Sequence, residues 1–185
     1  MEARIINKTP DYKVAGIRNA QIVGRPGSPW RKFAGVQSDN GIKHQFTVEI
    51  DEQYVQMLKD FNLNVGWYEK EGYRGFYYLT VTLSWKFKDP NVFTVAYNGV
   101  RTKESEVTIG DLDQNDNLQY VNMEVAPSHY NSHGREGYTA YANNVYIYLG
   151  APSFSEQIYL EQYGDQAAVP AQASFIPAED EDIPF

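Results

Sequence analysis

Side chains alternate in character along residues 75–88. Tyr77, Leu79, Val81, Leu83, Trp85 and Phe87 fall on one side of an extended chain, and Phe76, Tyr78, Thr80, Thr82, Ser84, Lys86 and Lys88 on the other. A strand repeats every two residues, so the first set is expected to face a core and the second to face outward. Runs rich in Tyr, Phe and β-branched residues predict strands near 12–23, 42–50, 75–88, 92–98, 118–126 and 138–149. Turn signals separate them at Gly24-Arg25-Pro26-Gly27, Asp39-Asn40-Gly41, Asp89-Pro90-Asn91 and Asn98-Gly99. One segment has helical period instead. After Asp51 as N-cap, Tyr54, Met57, Leu58 and Phe61 form an i, i+3, i+4, i+7 stripe that suits core contact. The pattern predicts one mostly-β domain over residues 1–150 with a single inserted helix.

The pattern stops near Ala151-Pro152. Residues 151–178 read as a flexible linker, because 164–178 are rich in Ala, Gln and Pro and carry one charge, Asp165. Within it, Phe154, Ile158, Tyr159, Leu160 and Tyr163 supply enough apolar surface for a short docking helix. Beyond the linker comes Glu179-Asp180-Glu181-Asp182-Ile183-Pro184-Phe185. Its four adjacent carboxylates repel one another, and three apolar residues build no core, so the segment does not fold alone. An apolar end on a charged leader suits a basic groove with an adjoining apolar pocket in a partner. The competing reading is a solubilising acidic tail.

Charge changes the picture more than composition does. The chain is 185 residues long with a formal net charge of −8, which by itself argues against nucleic acid. Residues 1–103, however, hold 15 Lys and Arg against 10 Asp and Glu, whereas residues 151–185 hold 7 carboxylates and no cation. A basic first half with an acidic end is what an anion binder with a self-competing tail shows. The absence of Cys removes disulfides and thiolate chemistry. The opening Met1-Glu2-Ala3-Arg4 lacks a signal pattern, and no apolar stretch reaches the length of a membrane span, so a soluble intracellular protein is expected, with no membrane partner.

Three places carry candidate binding chemistry. The outward set on residues 76–88 combines Phe76 and Tyr78, which can stack on bases, with hydroxyls and with Lys86 and Lys88, which can neutralise phosphate. The same composition also suits an ordinary solvated face. The segment Arg25-Pro26-Gly27-Ser28-Pro29-Trp30-Arg31-Lys32-Phe33 is a loop with an aromatic beside cations. Arg25, Trp30, Arg31 and Lys32 fit a stacking platform with phosphate contacts, or Trp30 folds back to cap the core. Turn regions add Tyr73, Arg74, Arg101 and Lys103 as weaker candidates. Catalytic groupings are poor. His129 and His133 flank Asn131-Ser132 and Gly134 and do not make a helical metal pair. Asp111, Asp113 and Asp116 with Asn115 and Asn117 lack the central Gly and final Glu of a calcium loop, and an acidic hairpin loop is expected there. No catalytic residue, cofactor or metal is expected.

Two resemblances add to these residues. The acidic Asp182-Ile183-Pro184-Phe185 ending resembles the tail of bacterial single-stranded DNA-binding proteins, which docks enzymes of replication and repair. The body resembles, loosely over residues 17–150, the single-stranded DNA-binding proteins of short-tailed phages. That likeness rests on four features in order: Ala20-Gln21-Ile22-Val23 with the basic Pro-Gly loop; Gly41 to Ile50 entering a helix; the strand ending Trp85-Lys86-Phe87-Lys88; and Gly137-Tyr138-Thr139-Ala140 before Asn143-Asn144-Val145. The resemblance implies an all-β oligonucleotide-binding (OB) fold, a five-stranded Greek-key barrel with one inserted helix and an acidic C-terminal tail. It also implies that Tyr78, Lys86, Lys88 and the Trp30 loop lie on the DNA side. The expected function is sequence-independent binding and protection of single-stranded DNA in replication, recombination and repair, inside the cytoplasm of a phage-infected bacterium. The tail is expected to recruit partner proteins, and self-association into a homo-oligomer is left open. The alternative is an acidic-tailed protein-interaction or assembly module without DNA affinity.

Overall fold

The computed structural model describes residues 1–24, 33, 35–38, 41–72, 74–86, 89–114, 117–132 and 134–151. Ten strands and one helix follow in order: β1 (Glu2–Thr9), β2 (Tyr12–Val23), β3 (Gly35–Ser38), β4 (Gly41–Ile50), α1 (Glu52–Asp60), β5 (Val65–Tyr68), β6 (Phe76–Leu83), β7 (Asn91–Val95), β8 (Arg101–Lys103), β9 (Leu118–Ser132) and β10 (Arg135–Leu149). A 3-10 helix, Ile109–Gln114, precedes β9.

Five of these strands close a ring. β2 pairs β4, β4 pairs β6, β10 pairs β9 and β9 pairs β2, all antiparallel. The closing contact, β6 against β10 at Val81↔Ala140 and Thr82↔Tyr141, is parallel. A closed ring of five strands with this order is the OB barrel. Its interior holds Ile17, Phe46, Val48, Leu79, Val81, Leu83, Val121, Val125, Val145 and Ile147, all buried. The expected alternation on β6 holds at Leu79 and Val81, which are buried while Tyr78 and Thr80 are half-buried; it breaks at Thr82, which is buried beside Leu83, and at Tyr77, which is only half-buried.

Helix α1 begins after Asp51, as expected, but the Asp51 carboxylate makes no capping bond. It pairs with the Met1 ammonium at 3.2 Å instead. The helix ends in a Schellman arrangement: Asn62 N–H donates to Lys59 O and Leu63 N–H to Leu58 O, both at 2.9 Å, with Asn62 at φ 61°. Leu58 and Leu63 are buried together. Of the predicted stripe only Leu58 is fully buried; Val55 joins it, while Tyr54, Met57 and Phe61 pack at its margin.

Several expectations change. Strand β1, unpredicted because its charged positions blur the alternation, pairs the first half of β2. The strand expected to run to residue 88 ends at Leu83, so Trp85 and Lys86 lie beyond the ladder. Trp85 is half-buried, not a core residue, and meets His44 edge-on at 5.7 Å. His44 Nδ1 lies 3.1 Å from Phe33 O, and Phe33, fully buried, packs on Phe46 at 5.1 Å. Loop residue Phe33 therefore plugs this end of the barrel. Trp85→Ala is expected to cost about 2 kcal/mol in a urea melt, below the ~3–5 kcal/mol of a fully buried aromatic. A loss under ~0.5 kcal/mol would mean Trp85 does not brace this plug. The expected acidic hairpin loop is instead the 3-10 helix, because Ile109 and Leu112, three apart, both bury. Its Asp113 carboxylate accepts the Phe33 backbone N–H.

Candidate nucleic-acid interface

The outer surface of β4 and β6 is set by cross-strand register. Gln45 faces Thr82, Thr47 faces Thr80, and Glu49 faces Tyr78, while the intervening residues point into the barrel. Two of these rows are tied across the strands: Gln45 Nε2 donates to Thr82 Oγ1 at 3.2 Å, and the Thr47 and Thr80 hydroxyls lie 3.2 Å apart. Thr47 and Thr82 are buried, unlike ordinary solvated strand residues.

Tyr78 is held by an absence. Its β5 partner is Gly66, and a Cβ built there would lie 2.6 Å from Tyr78 Cζ. The phenol ring lies across the glycine, which only a residue without a side chain permits. Beside it, Glu49 pairs with the Arg74 guanidinium. That pair cancels the carboxylate on this face and holds an exposed cation next to Tyr78.

β10 forms the other wall. Tyr138, Thr139 and Ala140 line a groove of about 270 Å³ together with Gln45, Asn64, Gly66, Tyr78, Thr80 and Thr82. Lys43 Nζ sits 5.7 Å from the Tyr141 ring centroid, near the same end of β10. Beyond the groove β9 and β10 continue as a two-stranded arm whose residues are largely exposed. On it His129 Nε2 meets Glu136 at 2.7 Å and His129 packs edge-on against Tyr138 at 5.3 Å. The groove thus offers an aromatic face, amides and hydroxyls, and a rim of cations, which suits an unpaired nucleic-acid strand.

The sequence candidates divide. Tyr78 lies in the groove, and Arg74 beside it through Glu49. Phe76 is half-buried on the same outer side, 5.4 Å from Tyr68. Lys86 is exposed beyond the end of β6. Arg101 and Lys103 lie on β8, paired with Val95 and Phe93, and not at the groove. Arg25, Trp30, Arg31, Lys32, Tyr73, Lys88 and the whole of 179–185 lie outside the described residues. Sequence reasoning missed Lys43, Gln45, Asn64, Gly66, Tyr138, Thr139 and Tyr141. Lys43 and Gln45 were readable from the alternation of residues 42–50. The β10 residues were not, since their place depends on the parallel contact with β6. Among the described residues no helix is long and apolar enough to cross a membrane, and no cluster of His, Asp or Glu is placed to hold a metal.

OB barrels bind oligonucleotides and oligosaccharides on the face of their second and third strands and through the adjoining loops. Here those strands are β4 and β6, and the groove lies on them, so fold and site define the class of oligonucleotide- and oligosaccharide-binding barrels. The family model of the phage ssDNA-binding domain matches residues 17–183, and the chain belongs to that family. No curated protein matches it significantly. Among solved structures, the single-stranded DNA-binding protein from bacteriophage Enc34, in complex with ssDNA, is similar at 12% identity and a TM-score of 0.49, over 83% of this chain and 98% of that one. A C-terminal truncation of the Enc34 protein gives 10% identity and 0.47 over the same shares. The T7 single-stranded DNA-binding protein gp2.5 gives 9% and 0.33, over 92% of this chain and 100% of that one.

Proposed function

We propose that this protein binds single-stranded DNA without sequence preference in the β4–β6 groove and protects it during phage DNA replication, recombination or repair in the host cytoplasm. The observation that carries this reading is Tyr78, laid across Gly66 between hydroxyl and amide rows on the strand pair that OB proteins use. Family membership supports it. Stacking on an aromatic tolerates any base, and the partly exposed Thr80 and Thr139 hydroxyls and the exposed Asn64 amide can reach phosphate and sugar oxygens. Residues 179–185 serve in this reading as the segment that recruits partner proteins.

A gel shift with oligo-dT tests the reading directly. Failure of the full chain to retard it at low salt would leave the protein-interaction module as the better account. Tyr78→Ala is expected to weaken binding by about 1–3 kcal/mol, the usual cost of one lost base stack. Gly66→Ala is expected to weaken it comparably with Tyr78 still present, because the added methyl must displace the ring. If Gly66→Ala binds as the wild type does, the ring position is not what the groove uses.

A further inference from the structure

A second aromatic surface lies on the far half of β10. Phe93 and Tyr146 stack at 5.5 Å with their planes 14° apart, and Tyr120 and Tyr148 at 4.5 Å and 19°. Register places the first pair in one row with Lys103 and the second in the next row with Val95 and Arg101. Arg101 also lies 5.7 Å from the Tyr146 ring centroid. Below them Val92, Val145, Ile147 and Val121 are buried, so these rings occupy the outer side of the sheet.

We infer that this face of β9, β10, β7 and β8 is a second stacking platform, which carries the same single strand of DNA onward from the groove. The inference rests on the groove reading and extends it. Aromatic faces bordered by cations are what an unpaired nucleic-acid strand needs in order to stack its bases and neutralise its backbone. Opposing charge is already spent: Glu124, in the adjoining row, is buried and bonded by Lys8 and by Asn144. The Tyr148 phenol is pushed above its ordinary range, first by burial and then by Tyr120, so it remains a neutral donor.

Continuity comes from β10 itself. Its register slips between Ala142 and Asn144, where a bulge inserts one residue. Before the bulge Ala140 and Ala142 point inward; after it Val145 and Ile147 do. The bulge therefore switches the outward set from Thr139 and Tyr141 to Tyr146 and Tyr148 and keeps both on the outer side. Without that extra residue, a strict period of two would turn Tyr146 and Tyr148 into the barrel. Thr139 of the groove and Tyr146 of the platform are seven residues apart on β10, about 23 Å at ~3.3 Å per residue.

The same cross-strand stacks also stabilise a sheet, so the test must read DNA length rather than affinity alone. Fluorescence anisotropy with oligo-dT of about 8 and about 16 nucleotides, within the range one OB fold covers, is measured at one protein per oligomer. Wild type is expected to bind the longer oligomer roughly tenfold more tightly, the worth of one or two added stacks. The double change Arg101→Ala with Lys103→Ala, and separately Phe93→Leu, are expected to erase most of that gain while short-oligomer affinity stays within about twofold. Equal weakening at both lengths overturns the platform and assigns the rings to sheet stability. No weakening at either length overturns it and leaves the groove reading standing. Failure of the wild type to bind either oligomer overturns both readings.

Discussion

Raising monovalent salt from about 50 to about 200 mM is expected to weaken oligo-dT binding by roughly 100-fold. Each phosphate neutralised on a single strand contributes a log–log slope of about −0.7, so about five contacts give about −3.5, or two decades for a fourfold rise in salt. The described cations are Lys43 at the rim, Arg74 beside Tyr78 and exposed Lys86; the sequence adds Arg25, Arg31, Lys32 and Lys88 as candidates. They do not count equally. Arg74 is matched by Glu49, so the pair adds little net charge to the face, whereas Lys43 contacts an aromatic ring and keeps its charge for DNA. Lys43→Ala should therefore flatten the salt slope by more than Arg74→Ala. An affinity unchanged over this range would sink the electrostatic half of the mechanism, and equal effects of the two variants would show that Glu49 does not offset Arg74.

Removing residues 179–185 is expected to abolish capture of replication, recombination or repair proteins from infected-cell extract, while DNA binding becomes tighter. The two effects have different causes and can fail separately. If the segment's four carboxylates compete with phosphate for the same cations, as proposed, their loss helps DNA most at low salt, where screening is weak. On the proposed role of this segment, partner capture rests on its apolar end, Ile183-Pro184-Phe185, which carries no charged side chain. Phe185→Ala preserves the charge. It should leave DNA affinity nearly unchanged and cost partner binding about 2 kcal/mol or more, the scale of an interface hot spot. If Phe185→Ala tightens DNA binding as much as the full deletion, Phe185 itself occupies a base-stacking site. If neither variant alters capture, the segment is a solubility device.

The local pattern in the sequence determined the helix, the inward and outward faces of residues 42–50 and 78–81, and the Asn98-Gly99 turn. Alternation on residues 75–83 and 42–50 is a property of neighbours, so Leu79, Val81, Phe46 and Val48 could be assigned inward and Tyr78 outward without knowing what they meet. The Asn98-Gly99 turn was legible for the same reason: Gly99 takes φ 84° and its N–H closes on Ala96 O at 2.8 Å. The segregation of positive and negative charge was likewise written in order along the chain. Tertiary structure decided what those faces meet. The barrel closes through Val81↔Ala140, a pairing between residues far apart in sequence, and only that contact brings Tyr138 and Thr139 to Tyr78. It also made Phe33 a plug, laid Tyr78 over Gly66, and moved Arg101 and Lys103 from the groove to the platform on β8. Periodicity reports which way a side chain points relative to its own backbone. It carries no information about which distant strand completes the surface, nor about a bulge such as that at Ala142/Asn144, where one inserted residue reverses the parity that strict alternation dictates.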